Sequence, residues 1–182
     1  VHGVKIHNLH VVRGTPLADM HDRGEYVPLE LDEYVEYAVR FLEHLPPGIV
    51  IAAPSSGSGK TLLTLGLLRH FRDGGVAVAS AKIGPDYIDP AFHAAAGGRT
   101  CTNLDLWAMR PTTQAAALRQ SADGAELIIC EGVMGLFDGA IDGTGSTAEL
   151  AVRTGWPVLL VLDVRGQAAS AVAVYEGVAR HR

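Results

Sequence analysis

The fold is decided by the stretch Ala53-Pro54-Ser55-Ser56-Gly57-Ser58-Gly59-Lys60-Thr61. It follows a short apolar run, residues 49–53, which is typical of a strand buried on both faces. It opens a stretch with helical apolar spacing, residues 60–71. Glycines in a strand-to-helix turn let backbone N–H groups curl around phosphate oxygens, and the helix start adds positive partial charge. The stretch therefore predicts a phosphate-binding loop, called the P-loop below.

Individual side chains of the P-loop suit a nucleotide and its metal ion. Lys60 is placed to reach the β- and γ-phosphates of ATP, and the Thr61 hydroxyl is placed to ligate Mg²⁺. One position departs from the strict pattern, because Pro54 stands where the first glycine belongs. A glycine-rich turn that binds nothing is the alternative interpretation. We predict that the nucleotide is bound by Ser56, Gly57, Ser58, Gly59, Lys60 and Thr61.

Strands and helices alternate along the chain after Pro46-Pro47-Gly48. This alternation predicts an α/β fold with a mainly parallel sheet and helices on both faces. Ser146 and Glu149 form a capping-box pattern at one helix start. The predicted strands cover 49–53, 76–82, 126–131 and 158–163, and the predicted helices cover 60–71, 112–122, 146–154 and 168–179.

Residues 1–48 form a separate unit in this prediction, joined at the Pro46-Pro47-Gly48 boundary to a P-loop domain of residues 49–182. Residues 4–12 are predicted as a strand, which Gly14-Thr15-Pro16 interrupts. Residues 32–45 have one apolar face and are predicted as a helix. We expect this strand–helix appendage to have no activity of its own.

The composition favours a reduced, cytoplasmic globular protein. The 182 residues are 48% hydrophobic with a formal net charge of −5, so a basic face for nucleic acid or membrane is not expected. The apolar runs are far shorter than the ~18–20 residues of a membrane span. Cys101 and Cys130 show no CxxC spacing and cannot form a disulfide framework. Because the chain begins at Val1, we expect a piece of something longer.

Acidic residues follow two predicted strands, at the edge where open α/β sheets bind ligands. Glu131 ends an apolar strand and is placed to assist a metal ion, unless it is an idle core glutamate. Asp138 precedes Gly139, where an aspartate often serves only the turn.

The segment from Lys82 to Pro90 concentrates a lysine, two aspartates and a tyrosine after another strand, and an ordinary polar turn is its alternative interpretation. If the strands carrying Lys82 and Glu131 both flank the P-loop strand, their loops converge over the γ-phosphate. We then expect an open, shallow face beside the phosphate site, with Tyr87 offering an aromatic edge.

Residues 49–182 resemble the amino-terminal ATP-binding domain of the cobyrinic acid a,c-diamide synthase family. The resemblance lies in the strings IVIAAPSSGSGKT, KIGPDYIDPAFHAAAGGR, NLDLW, CEGVMGLFDG and DGTGSTAELA. It implies a dethiobiotin-synthetase-like fold and an ATP-dependent carbon–nitrogen ligase of cobalamin biosynthesis. Such an enzyme activates corrinoid carboxylates with ATP and Mg²⁺ and then amidates them with ammonia from glutamine.

The resemblance also implies roles for single residues. The metal-binding positions are Thr61, Asp86 and Glu131. The positions that handle the substrate are Tyr87, Ile88, Asp89 and Asp138. The catalytic set comprises Lys60, Lys82, Asp86, Glu131 and Asp138.

Two further expectations follow from the family pattern. Residues 1–48 resemble the late part of a radical S-adenosylmethionine protein but lack its three-cysteine cluster motif. We therefore expect the chain to be a chimera of two proteins. We expect the glutaminase domain that completes the synthase family to be missing, and also a later strand that ends near the adenine. A homodimer stays open as the oligomeric state.

The leading interpretation is an ATP-binding and activating fragment of such a ligase. A catalytically inactive nucleotide-binding scaffold or chimera, and a dethiobiotin-synthetase-like ligase, are the alternatives. A partition-type ATPase is disfavoured, because Ser55 stands where that class has a lysine early in its loop.

Overall fold

The computed structural model describes residues 13–30, 33 and 47–181. They fall in two units, one on each side of the gap at residues 34–46. The predicted strand 4–12 lies outside the described residues, and so does the predicted helix 32–45 except for Glu33.

The described part of the first unit contains helix α1, Pro16–Asp22. Gly14-Thr15-Pro16 is therefore not a simple interruption, as the sequence prediction had it, but a helix start. The Thr15 hydroxyl accepts the N–H of Ala18 at 3.3 Å, and Pro16 occupies the first turn, where its missing N–H costs nothing.

The second unit is built around a parallel sheet of five strands, in the order β3-β2-β4-β1-β5. The strands are β1 Gly48–Ala52, β2 Val78–Ile83, β3 Thr102–Leu104, β4 Leu127–Glu131 and β5 Val158–Leu160. The helices are α2 Lys60–Asp73, α3 Asp89–Gly97, α4 Pro111–Ala122, α5 Thr147–Thr154 and α6 Ser170–Arg180. The predicted α/β class with a parallel sheet is confirmed.

Two elements of the sheet region were not predicted. The segment 89–97 forms helix α3, so Asp89 and Pro90 open a helix where the sequence prediction had a loop. Strand β3 has only three residues and a polar composition, which gives period-based reasoning little to detect. Strand β5 is also shorter than predicted, because it ends at Leu160 rather than at residue 163.

The strands present different side chains to the two layers of helices, because successive residues of a strand point to opposite faces. One face carries Val50, Ala81, Ile83, Leu104 and Cys130, which form an apolar cluster with Leu150 and Ala151 of α5 and with Ala117 and Leu118 of α4. The other face meets α2 and α3, and it carries the polar side chains of Lys82 and Glu131.

The register of the sheet aligns polar residues in one row. Lys82 of β2 is the register partner of Asn103 on β3 and of Glu131 on β4, which in turn pairs with Ile51 of β1. The P-loop strand β1 lies between β4 and β5, so the expectation that β2 also flanks β1 is wrong. Lys82 nevertheless reaches the end of the P-loop through β4, because its Nζ donates to Glu131 Oε1, which also accepts from the Thr61 hydroxyl.

No helix among the residues that the structure describes is both long and apolar enough to cross a lipid bilayer.

Candidate functional site

The P-loop joins β1 to α2 in a conformation that requires glycine at two positions. Gly57 has φ +77° and Gly59 has φ +92°, in the left-handed region where other residues are strained. A Cβ added at either glycine would meet no atom within 4 Å, so the backbone conformation and not crowding requires the glycine. Ser58 closes the turn, because its hydroxyl donates to the Ser55 carbonyl at 3.0 Å.

Lys60 is buried at the base of this loop and bridges two backbone carbonyls. Its Nζ donates to the Ser55 carbonyl at 3.2 Å and to the Met134 carbonyl at 2.7 Å. Burial and the nearby Lys82 charge lower the pKa of Lys60, against the attraction of Glu131 and other carboxylates. The ammonium group therefore holds the P-loop to the loop after β4 and lies in an environment that favours an added negative charge.

The loop after β4 is held in a strained shape at the point where it contacts Lys60. Met134 has φ +45°, and among the described residues it is the only one other than glycine with a positive φ. The next N–H, of Gly135, donates to the Asp138 carboxylate at 2.7 Å. One peptide unit and two hydrogen bonds thus connect Lys60 Nζ to Asp138 Oδ2, which places the two charges within about 8 Å of each other.

Glu131 is the hub of the site, and its side chain is fully buried. Its Oε1 accepts from the Thr61 hydroxyl at 2.7 Å and from Lys82 Nζ at 2.9 Å. Its Oε2 accepts from His93 Nε2 at 2.7 Å. Burial alone would raise the pKa of Glu131, but the hydrogen bonds from His93 and Thr61 and the charge of Lys82 lower it to about 2. The carboxylate is therefore ionised at neutral pH.

Lys82 connects three carboxylates at the same edge. Its Nζ lies 2.9 Å from Asp89 Oδ2, 2.9 Å from Glu131 Oε1 and 3.8 Å from Asp86 Oδ2. Burial would lower the pKa of Lys82, yet these acidic partners outweigh burial and raise it. The predicted site residues after β2 and β4 are thus brought together, although they lie about 45 residues apart in the sequence.

Asp86 serves its own loop as well as Lys82. Its Oδ1 accepts the N–H groups of Ile88 and Asp89, and its backbone carbonyl accepts from the Asn103 side chain at 2.6 Å. The pKa of Asp86 is lowered, because these backbone donors and Lys82 outweigh the effect of burial. Asp86 therefore fixes the turn that leads into α3, in addition to carrying charge.

The predicted substrate-handling side chains differ in exposure. Tyr87 is 88% exposed and Ile88 is also exposed, whereas Asp89 is turned inward against Lys82 and approaches the Thr61 hydroxyl at 3.4 Å. Other exposed apolar side chains follow the strands at this edge, among them Phe92, Trp107, Met134 and Phe137. The carboxyl-terminal edge of the sheet thus combines buried charged side chains with exposed apolar side chains, which we call the exposed rim.

A cavity of about 340 Å³ adjoins the P-loop on the side away from Lys82. Ser55, Ser56, Gly57 and Ser58 line one wall, and the segment after β5, including Asp163 and Arg165, lines the other. Asp163 and Arg165 pair with each other at 2.7 Å.

Sequence reasoning missed two contributors to this site. His93 lies four residues after Asp89, a spacing that puts both on one helix face, but α3 was not predicted and the relation stayed hidden. The Met134 carbonyl has no signal in the sequence, because any residue supplies a carbonyl and only the backbone conformation aims it at Lys60.

The donors at this edge are oxygen atoms suited to a hard cation. Thr61 donates its hydroxyl proton to Glu131, so the lone pairs of Thr61 Oγ1 stay free. In the parts of the chain that the structure describes, no three His, Cys, Asp or Glu side chains form a ready-made metal site. Mg²⁺ commonly relies on one or two carboxylates plus substrate phosphates, and the donor set fits that mode.

The sheet has five parallel strands, and the loop between β1 and α2 contains two glycines with positive φ. These features define an α/β protein of the P-loop NTPase-like class. Within that class the chain is similar to hydrogenobyrinate a,c-diamide synthases. It is 60% identical to that of Rhodobacter capsulatus over 141 residues, which cover 75% of this chain and 32% of the relative. It is 53% identical to that of Rhizobium meliloti over 135 residues, covering 74% and 32%.

The relative from Brucella anthropi is 54% identical over 136 residues, covering 74% of this chain and 31% of the relative. The chain therefore spans about a third of the length of these relatives. Residues 1–55 match the family model described as Radical_SAM C-terminal domain. Both resemblances inferred from the sequence motifs are confirmed.

Proposed function

We propose that residues 49–182 bind ATP with Mg²⁺ and activate a corrinoid carboxylate, of the hydrogenobyrinate or cobyrinate type, for amidation. The observation that carries the proposal is the meeting of Lys60, Thr61, Lys82 and Glu131 at the mouth of the P-loop. The names of the relatives support the substrate class. Because the match covers about a third of the length of these relatives, we assign only the phosphate-handling steps to these residues.

The proposed reaction has two steps. A substrate carboxylate oxygen attacks the γ-phosphorus of ATP, the bond from that phosphorus to the bridging oxygen breaks, and ADP leaves. Ammonia then attacks the carbonyl carbon of the acyl phosphate, loses a proton, and inorganic phosphate leaves with the former C–O bonding electrons. Catalysis of the first step is mainly positioning and charge neutralisation.

Lys60 has the geometry for that neutralisation. It now donates to the carbonyls of Ser55 and Met134, on two loops that face each other. Phosphate oxygens between those loops would replace neutral carbonyls with charged acceptors, and charge-assisted hydrogen bonds are roughly twice as strong. Since burial lowers the pKa of Lys60 in the free protein, a bound phosphate restores the stability of its charged form.

Thr61 and Glu131, with Asp86 behind Lys82, are the residues that would hold Mg²⁺ beside the phosphates. Bound there, the ion would add positive charge at the oxygens of the transferred group. Lys82 holds Asp86, Asp89 and Glu131 together through its own charge, so the acidic side chains are already gathered at one place.

The acceptor side is proposed to use the exposed rim. A macrocycle with several carboxylates needs an open face rather than a narrow cavity, and Tyr87 and Ile88 stand at such a face. Asp138 lies on the loop that carries the Met134 carbonyl, close to Lys60, and is proposed to act near the acceptor carboxylate.

The test combines nucleotide binding with turnover. The chain is titrated with Mg-ATP by calorimetry, and ADP formation is then followed with ammonium and hydrogenobyrinic or cobyrinic acid. Lys60→Ala should abolish the corrinoid-dependent ADP formation, while Arg69→Ala, which removes an exposed cation from the same helix, should not. Mass spectrometry identifies the amide.

Each outcome separates the candidate functions. Tight ATP binding that depends on Lys60, with no ADP formed in the presence of either corrinoid, would replace the ligase proposal by a nucleotide-binding scaffold. No binding of ATP at all would refute the site itself.

A further inference from the structure

His93 is a fully buried histidine that sequence reasoning left out of the site. It lies on α3, and both of its ring nitrogens have partners. Nε2 is 2.7 Å from Glu131 Oε2, and Nδ1 is 3.4 Å from the Cys101 sulfur. An ionised carboxylate can only accept, so Nε2 carries a proton and donates it to Glu131.

The two oxygens of Glu131 have different surroundings. Oε1 faces the nucleotide side and accepts from Thr61 and Lys82, whereas Oε2 faces α3 and accepts from His93. Rotation of the carboxylate about its last bond would move Oε1 away from the Thr61 hydroxyl. The contact with His93 opposes that rotation, because it would leave a buried, charged oxygen without its donor.

We infer that His93 is a positioning residue that holds Glu131 Oε1 toward Thr61 and thereby sets the affinity of the nucleotide-bound metal ion. The inference rests on the proposed function, in which Glu131 and Thr61 hold Mg²⁺. Partners that orient a ligating group from behind typically change metal affinity by about tenfold to a hundredfold when they are removed. His93 has that place in the structure, and it does not face the P-loop backbone that would hold the phosphates.

Cys101 completes the arrangement from the far side of the ring. Its sulfur contacts Nδ1, and its own side chain is buried just before β3. With a partner at each nitrogen the imidazole plane is fixed, so the direction of the Nε2–H bond is fixed as well. The Nε2–H group is therefore what orients Glu131, and a residue that places an N–H donor at the same position should also orient Glu131.

The test compares two amide variants that place an N–H at different points. Gln reaches the position of Nε2, and Asn reaches only the position of Nδ1. The full chain is titrated with Mn²⁺ by electron paramagnetic resonance in the presence of the non-hydrolysable analogue AMP-PNP. AMP-PNP affinity is measured separately in EDTA. His93→Asn should weaken Mn²⁺ binding by about tenfold to a hundredfold, and His93→Gln should stay within a few-fold of the parent chain.

Metal-free AMP-PNP affinity should be unchanged in both variants, which a merely structural loss would not allow. His70→Gln, a histidine exchange at an exposed position of α2, is the matched control and should change neither measurement. If His93→Asn fails to fold, His93→Leu takes its place, because leucine fills buried space without any donor, and its Mn²⁺ affinity must fall by the same factor while that of His93→Gln does not.

Equal Mn²⁺ affinity in the Asn variant and the parent chain would overturn the positioning role. Parallel loss of Mn²⁺ and of metal-free AMP-PNP binding would also overturn it, in favour of simple damage to the fold. Failure of the nucleotide site has a different signature, because the parent chain itself would then bind no AMP-PNP. Failure of the ligase chemistry alone shows in the assay of ADP formation and leaves the comparison of Mn²⁺ affinities intact.

Discussion

Replacement of Glu131 by glutamine tests the electrostatic design of the site most directly. Glutamine keeps the shape of the side chain and mimics the protonated acid, so the change removes only the ionised state. The pKa of Glu131 is about 2 in the folded chain, against an ordinary value of 4.5. One pKa unit corresponds to about 1.4 kcal/mol, so Glu131→Gln should lower the free energy of unfolding by about 3 kcal/mol at neutral pH.

The pH dependence has a definite sign. A depressed pKa stabilises the folded state fully above 4.5, and this stabilisation is lost as the pH falls toward 2. The difference between the parent chain and Glu131→Gln should therefore shrink to about 1 kcal/mol at about pH 3. Urea denaturation followed by circular dichroism measures both values.

Glu126→Gln is the matched control at the other end of strand β4. Glu126 is exposed, and its carboxylate accepts the N–H of Ala77, which a glutamine oxygen can also accept. The free energy of unfolding of Glu126→Gln should differ from that of the parent chain by no more than about 0.5 kcal/mol. The reasoning would be refuted if Glu131→Gln unfolded like the parent chain at neutral pH, or if a deficit persisted undiminished in acid.

Three further outcomes are expected. Lys60→Ala should weaken ATP binding by roughly tenfold to a hundredfold in calorimetry, since it removes a charge-assisted phosphate contact; unchanged affinity would exclude this loop as the site. Asp138→Asn should lower corrinoid-dependent ATP hydrolysis more than ATP binding, because the amide oxygen can still accept the Gly135 N–H and keep the turn. Asp142→Asn in the same loop is the control; a lower melting temperature with normal specific activity of Asp138→Asn would favour a role in the turn alone. Burial would lower the pKa of His93, but its contacts raise it to about 9. The stabilisation that His93 contributes should therefore be fully present below pH 6.5 and decline by up to about 3 kcal/mol as the pH rises through 9; denaturation at about pH 6 and about pH 10 measures this, and His93→Gln should show no such decline.

Elements with strong local signals could be predicted from the sequence. The apolar run of β1, the helical spacing of α2 and the glycines between them satisfy rules that involve only neighbouring residues. The Ser146 cap is of the same kind, since its hydroxyl accepts the Glu149 N–H as the pattern predicts. The Glu149 carboxylate, however, bonds to Gly145 N rather than to the capping residue.

Helix α3 and strand β3 have weak local signals in the sequence and were not predicted, so the side of the site that α3 forms was not predicted either. Helix α3 is short and rich in alanine, so its apolar periodicity is faint, and its stability comes from packing against α2 and β2. His93 was overlooked for that reason. The role of a buried histidine depends on the residues that it contacts, and the sequence of its own helix does not show which residues those are.

The amino-acid sequence by itself determined the strand–loop–helix unit around the P-loop, the alternation that makes the sheet parallel, and the residue types at the strand ends. Only the tertiary structure decided that Lys82 stands beside Glu131, because strand order and register depend on packing between distant segments. It likewise decided that Met134 turns its carbonyl toward Lys60 and that His93 supports Glu131 from behind. Local rules act over a few residues, whereas these contacts join residues between 38 and 74 positions apart.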